Sequence, residues 1–388
     1  MTKPQRYQFL DLYRGLIVLF MLEGHVLRAL LQPAFQATKA FELHEIFHGI
    51  TAPGFLFGAG FTFAIATQRK WEELITWSRG LLRRIGRMVV LIAVGYLIHI
   101  PYFSLRKTIE ESTSEQWDAF LAFDVLQCIG VSLLFLRLLF VTVRSETLFL
   151  AGVAVSLATT VAATPLVWES QFVESLPRWL AMAVSGSQGS VFPLFPYGAF
   201  ILAGVLVSWE FLRYAEQGNE ARFMRLLALA GVGCIAAGYA WEIIPYQLYP
   251  KDDFWFTSPA YFLIRLGILV LVLAGLWFFE ARVRHREIHD VWMPQWLITL
   301  GVESLFVYIV HMLVLYGWVV NADVNMEAWW GLRLNLGESI LAFIGLTVAL
   351  YLVARLWRYL KKQHPVLMQG VYWWIGLVLA WELVTRPY

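Results

Sequence analysis

The first long apolar stretch of the sequence carries side chains whose types and spacing suit acid–base chemistry. Asp11 and Arg14 lie three residues apart, so in a helix they share one face and can pair. His25 follows Arg14 by eleven residues, or three turns, which places it on the same face about 16 Å farther along. Such a face could hold an anionic ligand at Arg14 and supply a general base at His25. The alternative is a structural pair of Asp11 and Arg14 and a His25 that only forms an interior hydrogen bond.

A second imidazole, His48, precedes the next apolar stretch, which reads Thr-Ala-Pro-Gly-Phe-Leu-Phe-Gly-Ala-Gly from Thr51. If both stretches cross a membrane, His48 lies at about the depth of His25. Gly54 and Gly58 are four residues apart and form a small-residue face that favours close helix packing. His48 is therefore a second candidate base, and the glycines are predicted to serve packing.

A cluster of arginines precedes the third apolar stretch. Arg83 and Arg87 are four residues apart and share a helix face, and Arg84 lies beside them. Arginine can bind a phosphate group through two parallel hydrogen bonds, so the cluster predicts a phosphate site. The alternative is that these cations only set the orientation in the membrane and contact anionic lipids.

Further polar side chains fall within apolar stretches, where a charge costs about 2.5–3.5 kcal/mol at mid-bilayer and each ionisable group is a functional candidate. The set comprises Asp124, Gln127, Glu242, Arg265, Ser304, Tyr308 and His311. The first two lie one turn apart, and the last three share a face through spacings of four and three. For each of them, an interior hydrogen bond is the alternative to a role in substrate binding or catalysis.

The composition identifies the setting of these residues. Hydrophobic residues make up 59% of the 388 residues and charged residues 15%, whereas soluble domains carry about 25% charge. Thirty Lys and Arg nearly balance 28 Asp and Glu, so no basic excess indicates a nucleic-acid partner. Cys128 and Cys234 lie in apolar stretches, and His285–His289 lacks the HExxH pattern, so neither a disulfide framework nor a metal site is expected. The chain is predicted to be an integral membrane protein.

The predicted fold is an all-α, polytopic transmembrane helix bundle that forms one domain over residues 1–388. A bilayer core needs about 20 apolar helical residues. About eleven such stretches occur, near 9–31, 45–66, 84–103, 120–142, 147–167, 190–212, 225–247, 260–280, 295–319, 337–359 and 366–385. The first is not expected to be a cleaved signal peptide, because Asp11 and Arg14 interrupt its start and no small-residue cleavage site follows.

The loop charges predict the orientation. With the N-terminus in the cytoplasm, the inner segments hold seventeen Lys and Arg residues and the outer segments hold seven. Basic residues concentrate on the cytoplasmic side of membrane proteins. The C-terminus is therefore predicted to lie outside.

Taken in order, these motifs resemble the transmembrane acyltransferase superfamily. That superfamily includes heparan-α-glucosaminide N-acetyltransferase and its bacterial relatives and, more distantly, the type-3 acyltransferases. The resemblance covers about residues 10–315. It rests on Asp11…Arg14-Gly15…His25, the Thr-Ala-Pro-Gly-Phe-Leu-Phe-Gly-Ala-Gly segment, Arg83-Arg84…Arg87, Asp-x-Leu-Gln-x-Ile-Gly (124–130), Phe-Pro-Leu-Phe-Pro-Tyr-Gly (192–198) and Ser-x-x-x-Tyr-x-x-His (304–311).

The resemblance implies a multi-pass enzyme that moves an acyl group, usually acetyl, from cytosolic acyl-CoA to a sugar amine or hydroxyl at the outer side. It implies that Arg14 binds the donor and that His25 acts in catalysis. The heparan enzyme departs from this pattern, because it has an amide near the position of His25 and its working histidine before the second span, where this chain has His44 and His48. The expected location is a bacterial inner membrane, and the expected partners are lipids, acyl-CoA, a sugar or glycolipid acceptor and, in a homodimer, a second copy.

The residues and the resemblance together assign roles. Donor contacts are predicted at Arg14, Asp11, Arg83, Arg84 and Arg87; a histidine for catalysis at His25, His48 or His311; and substrate or oxyanion contacts at Asp124, Gln127, Tyr308, Ser304, Glu242 and Arg265. The extended pantetheine arm of CoA, about 15–20 Å long, matches the separation of Arg14 and His25 along a helix. Direct transfer in a ternary complex and an acyl-imidazole intermediate both remain open.

Two other functions fit parts of the pattern. A multi-pass transporter or permease for an anionic or lipid-linked substrate would also carry intramembrane charges and proline-broken helices. A non-catalytic membrane scaffold or sensor is the third. Binding of acetyl-CoA distinguishes the enzyme from both.

Overall fold

The structure is a computed structural model that describes residues 7–74, 78–244, 248–249, 253–285, 293–319 and 321–386. Within these ranges it is α-helical, without strands and with a single isolated bridge between Leu31 and Leu334. The predicted all-α class is confirmed. The loop around His289, for which no metal is expected, lies outside the described residues.

The helices follow one another through the described ranges, joined by short connections. In chain order they are α1 (Gln8–Leu30), α2 (Pro33–Gln36), α3 (Lys39–His48), α4 (Thr51–Gln68), α5 (Trp71–Leu74), α6 (Arg79–Ile98), α7 (Leu105–Glu111), α8 (Ser114–Leu121), α9 (Val125–Val143), α10 (Glu146–Trp168), α11 (Gln171–Ser175), α12 (Arg178–Val184), α13 (Leu194–Glu216), α14 (Glu220–Ile243), α15 (Pro259–His285), α16 (Gln295–Val302), α17 (Ser304–Leu315), α18 (Met326–Trp330), α19 (Leu336–Gln363) and α20 (Pro365–Thr385).

Among the described residues, each of the eleven predicted apolar stretches contains helix. Within the described part of the chain, eight helices are long and apolar enough to cross a membrane, or nine if α16 and α17 form one bent span. The helices α1 and α6 are also long, but each contains four charged residues, which lowers its apolar content. The multi-pass architecture is therefore confirmed, whereas the count of eleven spans and the orientation stay predictions.

The chain divides into two compact units. The first contains Met1–Thr51, Ile100–Trp117 and Val283–Tyr388, and the second contains Ala52–His99 and Asp118–Arg282. The assignment of one domain to the whole chain stays a prediction.

In the first unit, α1 is the central helix and packs against α16, α17 and α19. Its contact with α16 depends on two glycines. A Cβ atom at Gly15 would overlap the backbone carbonyl of Leu297, and one at Gly301 would overlap the backbone carbonyl of Asp11. The two backbones therefore approach each other more closely than side chains would allow, which fixes the helical turn that carries Asp11 and Arg14.

The sequence predicts a continuous ninth span, but the structure bends it by 84° between α16 and α17. The bend lies at Glu303, a buried carboxylate that forms an ion pair with Lys361 of α19. Thr299, in the last turn of α16, accepts a hydrogen bond from Arg358 at 3.2 Å. Contacts with α19 therefore stabilise the bend on both of its sides.

In the second unit, α13 packs against α9, α10 and α14, and α6 packs along α9. A close backbone approach joins α4 and α13, since a Cβ atom at Gly60 would overlap the carbonyl of Ile201 and one at Gly204 that of Phe57. The motif 192–198 begins α13 with a kink, where Phe195 has non-helical angles. That kink agrees with the broken helix predicted from its two prolines.

Candidate active site

Two histidines of the first unit form the centre of the candidate site. Nδ1 of His25 on α1 lies 2.9 Å from Nε2 of His311 on α17, although 286 residues separate them. Nδ1 of His311 lies 3.2 Å from the carbonyl oxygen of Val307. A carbonyl can only accept, so His311 carries a proton on Nδ1, and in its neutral form Nε2 is then the acceptor. His25 therefore donates from Nδ1 and keeps an unprotonated Nε2, as a general base requires.

Two more imidazoles continue from this pair. The ring centre of His48 lies 6.1 Å from that of His25, and the ring of His44 stacks on His48 at 6.0 Å. Gly24, next to His25, makes room for His48, because a Cβ atom at this position would overlap the His48 ring. The helix α3 thus presents His48 and His44 to the His25 end of α1, at spacings too long for direct hydrogen bonds between the rings.

The last imidazole of this series is held by ion pairs. Nε2 of His44 lies 2.8 Å from an oxygen of Glu23, which is on α1 two residues before His25. The neighbouring Glu45 accepts a hydrogen bond at 2.8 Å from Nε of Arg28, also on α1. These pairs tie α3 to α1. They therefore position His48, which lies on the same helix as His44 and Glu45.

Arg14, which is predicted to bind the acyl donor, also faces α17. Its Nη2 donates to Oγ of Ser304 at 2.7 Å, and Ser304, Tyr308 and His311 all lie on the buried face of α17. Arg14 and His25 thus share one face of α1, as their spacing indicates, and both contact the same partner helix. Asp11 is buried at the contact with α16. Its predicted pair with Arg14 stays a prediction.

Five of the candidate residues in the second unit lie on, or at the ends of, the packed helices α6 and α9. Asp124 caps the first turn of α9, accepting from the Val125 backbone at 2.7 Å, and its other oxygen lies 3.1 Å from Nε2 of His99. Gln127, one turn on, is 0% exposed, and its amide nitrogen and oxygen have no hydrogen-bond partner in the described part of the chain. A buried amide of this kind is available for a ligand.

The arginine cluster on α6 is split between two faces. Arg83 and Arg87 share a face as their spacing predicts, and that face is exposed. Arg84 is half-buried and turns toward the interior of the unit. Of the three arginines predicted to bind phosphate, Arg84 is thus the one that is partly buried.

The remaining two candidates lie on α14 and α15 of the second unit. Glu242, near the end of α14, is exposed and accepts a hydrogen bond from Ser258 at 3.3 Å. Arg265 is buried on α15, with its guanidinium 3.7 Å from the ring centre of Tyr261 and a hydrogen bond to the Trp255 carbonyl at 3.3 Å. Both have structural partners, and their predicted roles as substrate contacts stay predictions.

Sequence reasoning did not single out several residues of these clusters. They are Glu23, Arg28, Glu45, His99 and Arg137. Glu23 and Arg28 could have been found from the sequence, because each is a charged residue close to His25 within the same apolar stretch. The partners of these residues lie on other helices, so their pairing could not be found from spacing. Among the described residues, no group of three or more His, Cys, Asp or Glu side chains could hold a metal ion.

Comparison with known proteins adds one finding to this geometry. The family model for the heparan-alpha-glucosaminide N-acetyltransferase catalytic domain matches residues 6–236, more than half of the chain. The matched region contains Arg14, His25, His48, the arginines of α6, Asp124 and Gln127, whereas His311 lies beyond it. A comparison with curated proteins gives no match.

Proposed function

The chain belongs to the heparan-alpha-glucosaminide N-acetyltransferase catalytic family, and from that premise we propose that it transfers an acetyl group from acetyl-CoA to a sugar amine. The name of the family model supplies both the transferred group and the class of acceptor. The helices that are long and apolar enough to cross a membrane support an integral membrane enzyme. Cytosolic binding of the donor, an acceptor at the outer side and a bacterial inner membrane are parts of the same proposal.

The observation that carries the proposal is the hydrogen-bonded pair of His25 and His311. In the transfer, the amine nitrogen attacks the thioester carbonyl carbon, a C–N bond forms and the C–S bond breaks. Nε2 of His25 accepts the proton that the amine loses, and CoA leaves as a thiolate that takes up a proton. His311 orients the imidazole and stabilises its protonated form, because Nδ1 of His25 keeps its acceptor throughout.

Arg14 is the proposed contact for the anionic part of the donor. It lies on the same face of α1 as His25, about 16 Å away along the helix axis. In acetyl-CoA the extended pantetheine arm separates the phosphates from the thioester by a similar length. A cation at this distance from the base therefore suits the phosphate end of the donor.

The test measures acceptor-dependent release of the CoA thiol by the purified protein with acetyl-CoA and glucosamine. The wild type should release thiol only when both substrates are present. His25→Ala should lower turnover by about a hundredfold to ten-thousandfold while acetyl-CoA binding by calorimetry stays near the wild-type value. Arg14→Ala should instead weaken acetyl-CoA binding. His364→Ala, which removes an exposed histidine next to α20, is the matched control and should change neither.

A membrane permease is the second candidate, and the bent pair α16 and α17 favours it. Transporters use broken helices with charged groups at the break, as found here at Glu303. The same assay separates the two functions. A permease would release no thiol from acetyl-CoA, and a wild type that neither binds acetyl-CoA nor releases thiol would exclude the enzyme.

A further inference from the structure

A buried arginine in the second unit carries a charge that no described residue around it balances. Arg137, in the second half of α9, is 1% exposed. One of its nitrogens, Nη2, donates to Oγ of Thr67 at 3.2 Å, whereas Nε and Nη1 have no hydrogen-bond partner in the described ranges. At least three of the five guanidinium N–H donors therefore lack an acceptor there. Buried donors are nearly always paired, so these three point to a ligand.

The other neighbours of Arg137 among the described residues do not neutralise its charge. The guanidinium lies over the rings of Phe63 at 4.7 Å and Phe140 at 5.4 Å. Aromatic faces attract a cation but carry no net charge. Glu146, which begins the next helix, accepts hydrogen bonds from Trp209 and Arg213 instead.

A second arginine faces Arg137 across the packed helices α6 and α9. Three facing pairs define their antiparallel register: His99 with Asp124, Gly95 with Gln127, and Ile92 with Gly130. Continuing that register by seven or eight residues toward the start of α6 places Arg84 opposite Arg137. Two facing guanidinium groups form a site that a divalent anion would stabilise.

We propose that Arg137 and Arg84 bind a phosphate ester. Arginine forks match phosphate oxygens in geometry and charge, and Arg84 of this pair is only half-buried. The inference rests on the second unit alone and does not depend on the proposed transfer reaction. The phosphate could come from a soluble nucleotide such as CoA or from the headgroup of an anionic lipid, and the two sources are separable by experiment.

The test uses the full-length protein in nanodiscs and compares Arg137→Met with Arg225→Met, which removes an exposed arginine of α14 in the same unit. One arm titrates CoA and dephospho-CoA in phosphatidylcholine discs, and the other replaces part of the lipid with phosphatidylglycerol. Arg137→Met should weaken the binding of one of these two phosphate sources by about tenfold or more. Loss of CoA affinity identifies a nucleotide site, whereas loss of stabilisation by phosphatidylglycerol identifies a lipid site. Arg225→Met should change neither.

Thermal stability without ligand separates a binding role from a structural one. If Arg137 serves a ligand, Arg137→Met should unfold at the wild-type temperature or above it, because an unbalanced buried charge is removed. Arg84→Met, at the half-buried partner, should reproduce the loss of binding. Unchanged response to both CoA and phosphatidylglycerol in Arg137→Met, or a lower unfolding temperature without loss of either response, would overturn the proposal.

Discussion

His25 is the residue whose chemistry depends most on a single neighbour. Its Nε2 can act as a base because Nδ1 of His25 donates a hydrogen bond to Nε2 of His311. Nε2 of His311 is free to accept because the proton of His311 is on Nδ1, where it is donated to the Val307 carbonyl. The arrangement acts through orientation and tautomer, in the way that a second residue positions a catalytic histidine in other enzymes. Replacing His311 should therefore impair turnover more than substrate binding.

We expect His311→Leu to lower kcat by about tenfold to a hundredfold with little change in the KM for acetyl-CoA. His311→Gln should retain more activity, since its amide oxygen can accept the hydrogen bond from His25. The measurement is acceptor-dependent thiol release over a range of acetyl-CoA concentrations. Equal losses in both variants, or a loss confined to KM, would contradict a positioning role for His311.

At the residue scale, the sequence predicts which side chains share a helix face but not which residues of other helices they contact. The shared face of Arg14 and His25 follows from the helical period alone, and both residues do contact α17. The partner of His25 lies 286 residues away, so no spacing rule could identify it. The same reason applies to Arg137, because its hydrogen-bond acceptor Thr67 and the facing Arg84 lie on two other helices.

At the scale of helices, the contact of α1 with α16 depends on the absence of side chains at two positions. A methyl group at Gly15 or Gly301 would meet backbone atoms, which cannot move aside as a flexible side chain can. We expect Gly15→Ala and Gly301→Ala each to destabilise the protein by about 1–3 kcal/mol, measured by thermal unfolding in detergent.

Gly345→Ala is the matched control for this contact. Gly345 lies on α19 of the same unit, and a Cβ atom there would meet nothing within 4 Å. Its stability should stay within about 1 kcal/mol of the wild type. Destabilisation of similar size in all three variants would mean that the close approach of α1 and α16 is not what the two glycines serve.

The bend between α16 and α17 depends on the ion pair of Glu303 and Lys361. Lys361→Met should destabilise the protein by about 1–2 kcal/mol, because it leaves the buried Glu303 carboxylate without its partner. The loss is limited because Lys361 is partly exposed, so solvent already screens the pair. Adding Glu303→Gln should restore part of the loss, because the isolated charge is then removed. Thermal unfolding of the two single variants and the double variant gives the coupling, and purely additive losses would contradict it.

Helix positions could be predicted because apolar stretches of membrane length leave few alternatives, and each of the eleven stretches is helical. The bend at Glu303 could not, since the stretch 295–319 is apolar on both sides of one acid. A single carboxylate in such a stretch indicates a function or a partner but does not say that the helix breaks. The break follows from contacts with α19, which lies more than 30 residues later.

At the scale of the whole molecule, the distribution of charge gives the proposed reaction its direction. Most basic residues fall in the segments predicted to be cytoplasmic, seventeen against seven outside. A donor that is made and kept in the cytosol would then meet the arginine-rich side first. The direction of transfer depends on the predicted orientation, because the same helices could cross the membrane in either sense.

The orientation can be tested at the two ends of the last helix, α20. In a chain whose Cys128 and Cys234 are replaced by alanine, Thr385→Cys should react with a membrane-impermeant maleimide in intact spheroplasts. Lys362→Cys, just before α20, should react only after permeabilisation, because it belongs to a basic segment predicted to be inside. Retained thiol-release activity is the control for native folding. The opposite labelling pattern would reverse the orientation and place the arginine side of the protein away from cytosolic acetyl-CoA, while labelling of both positions from the same side would mean that α20 does not cross the membrane.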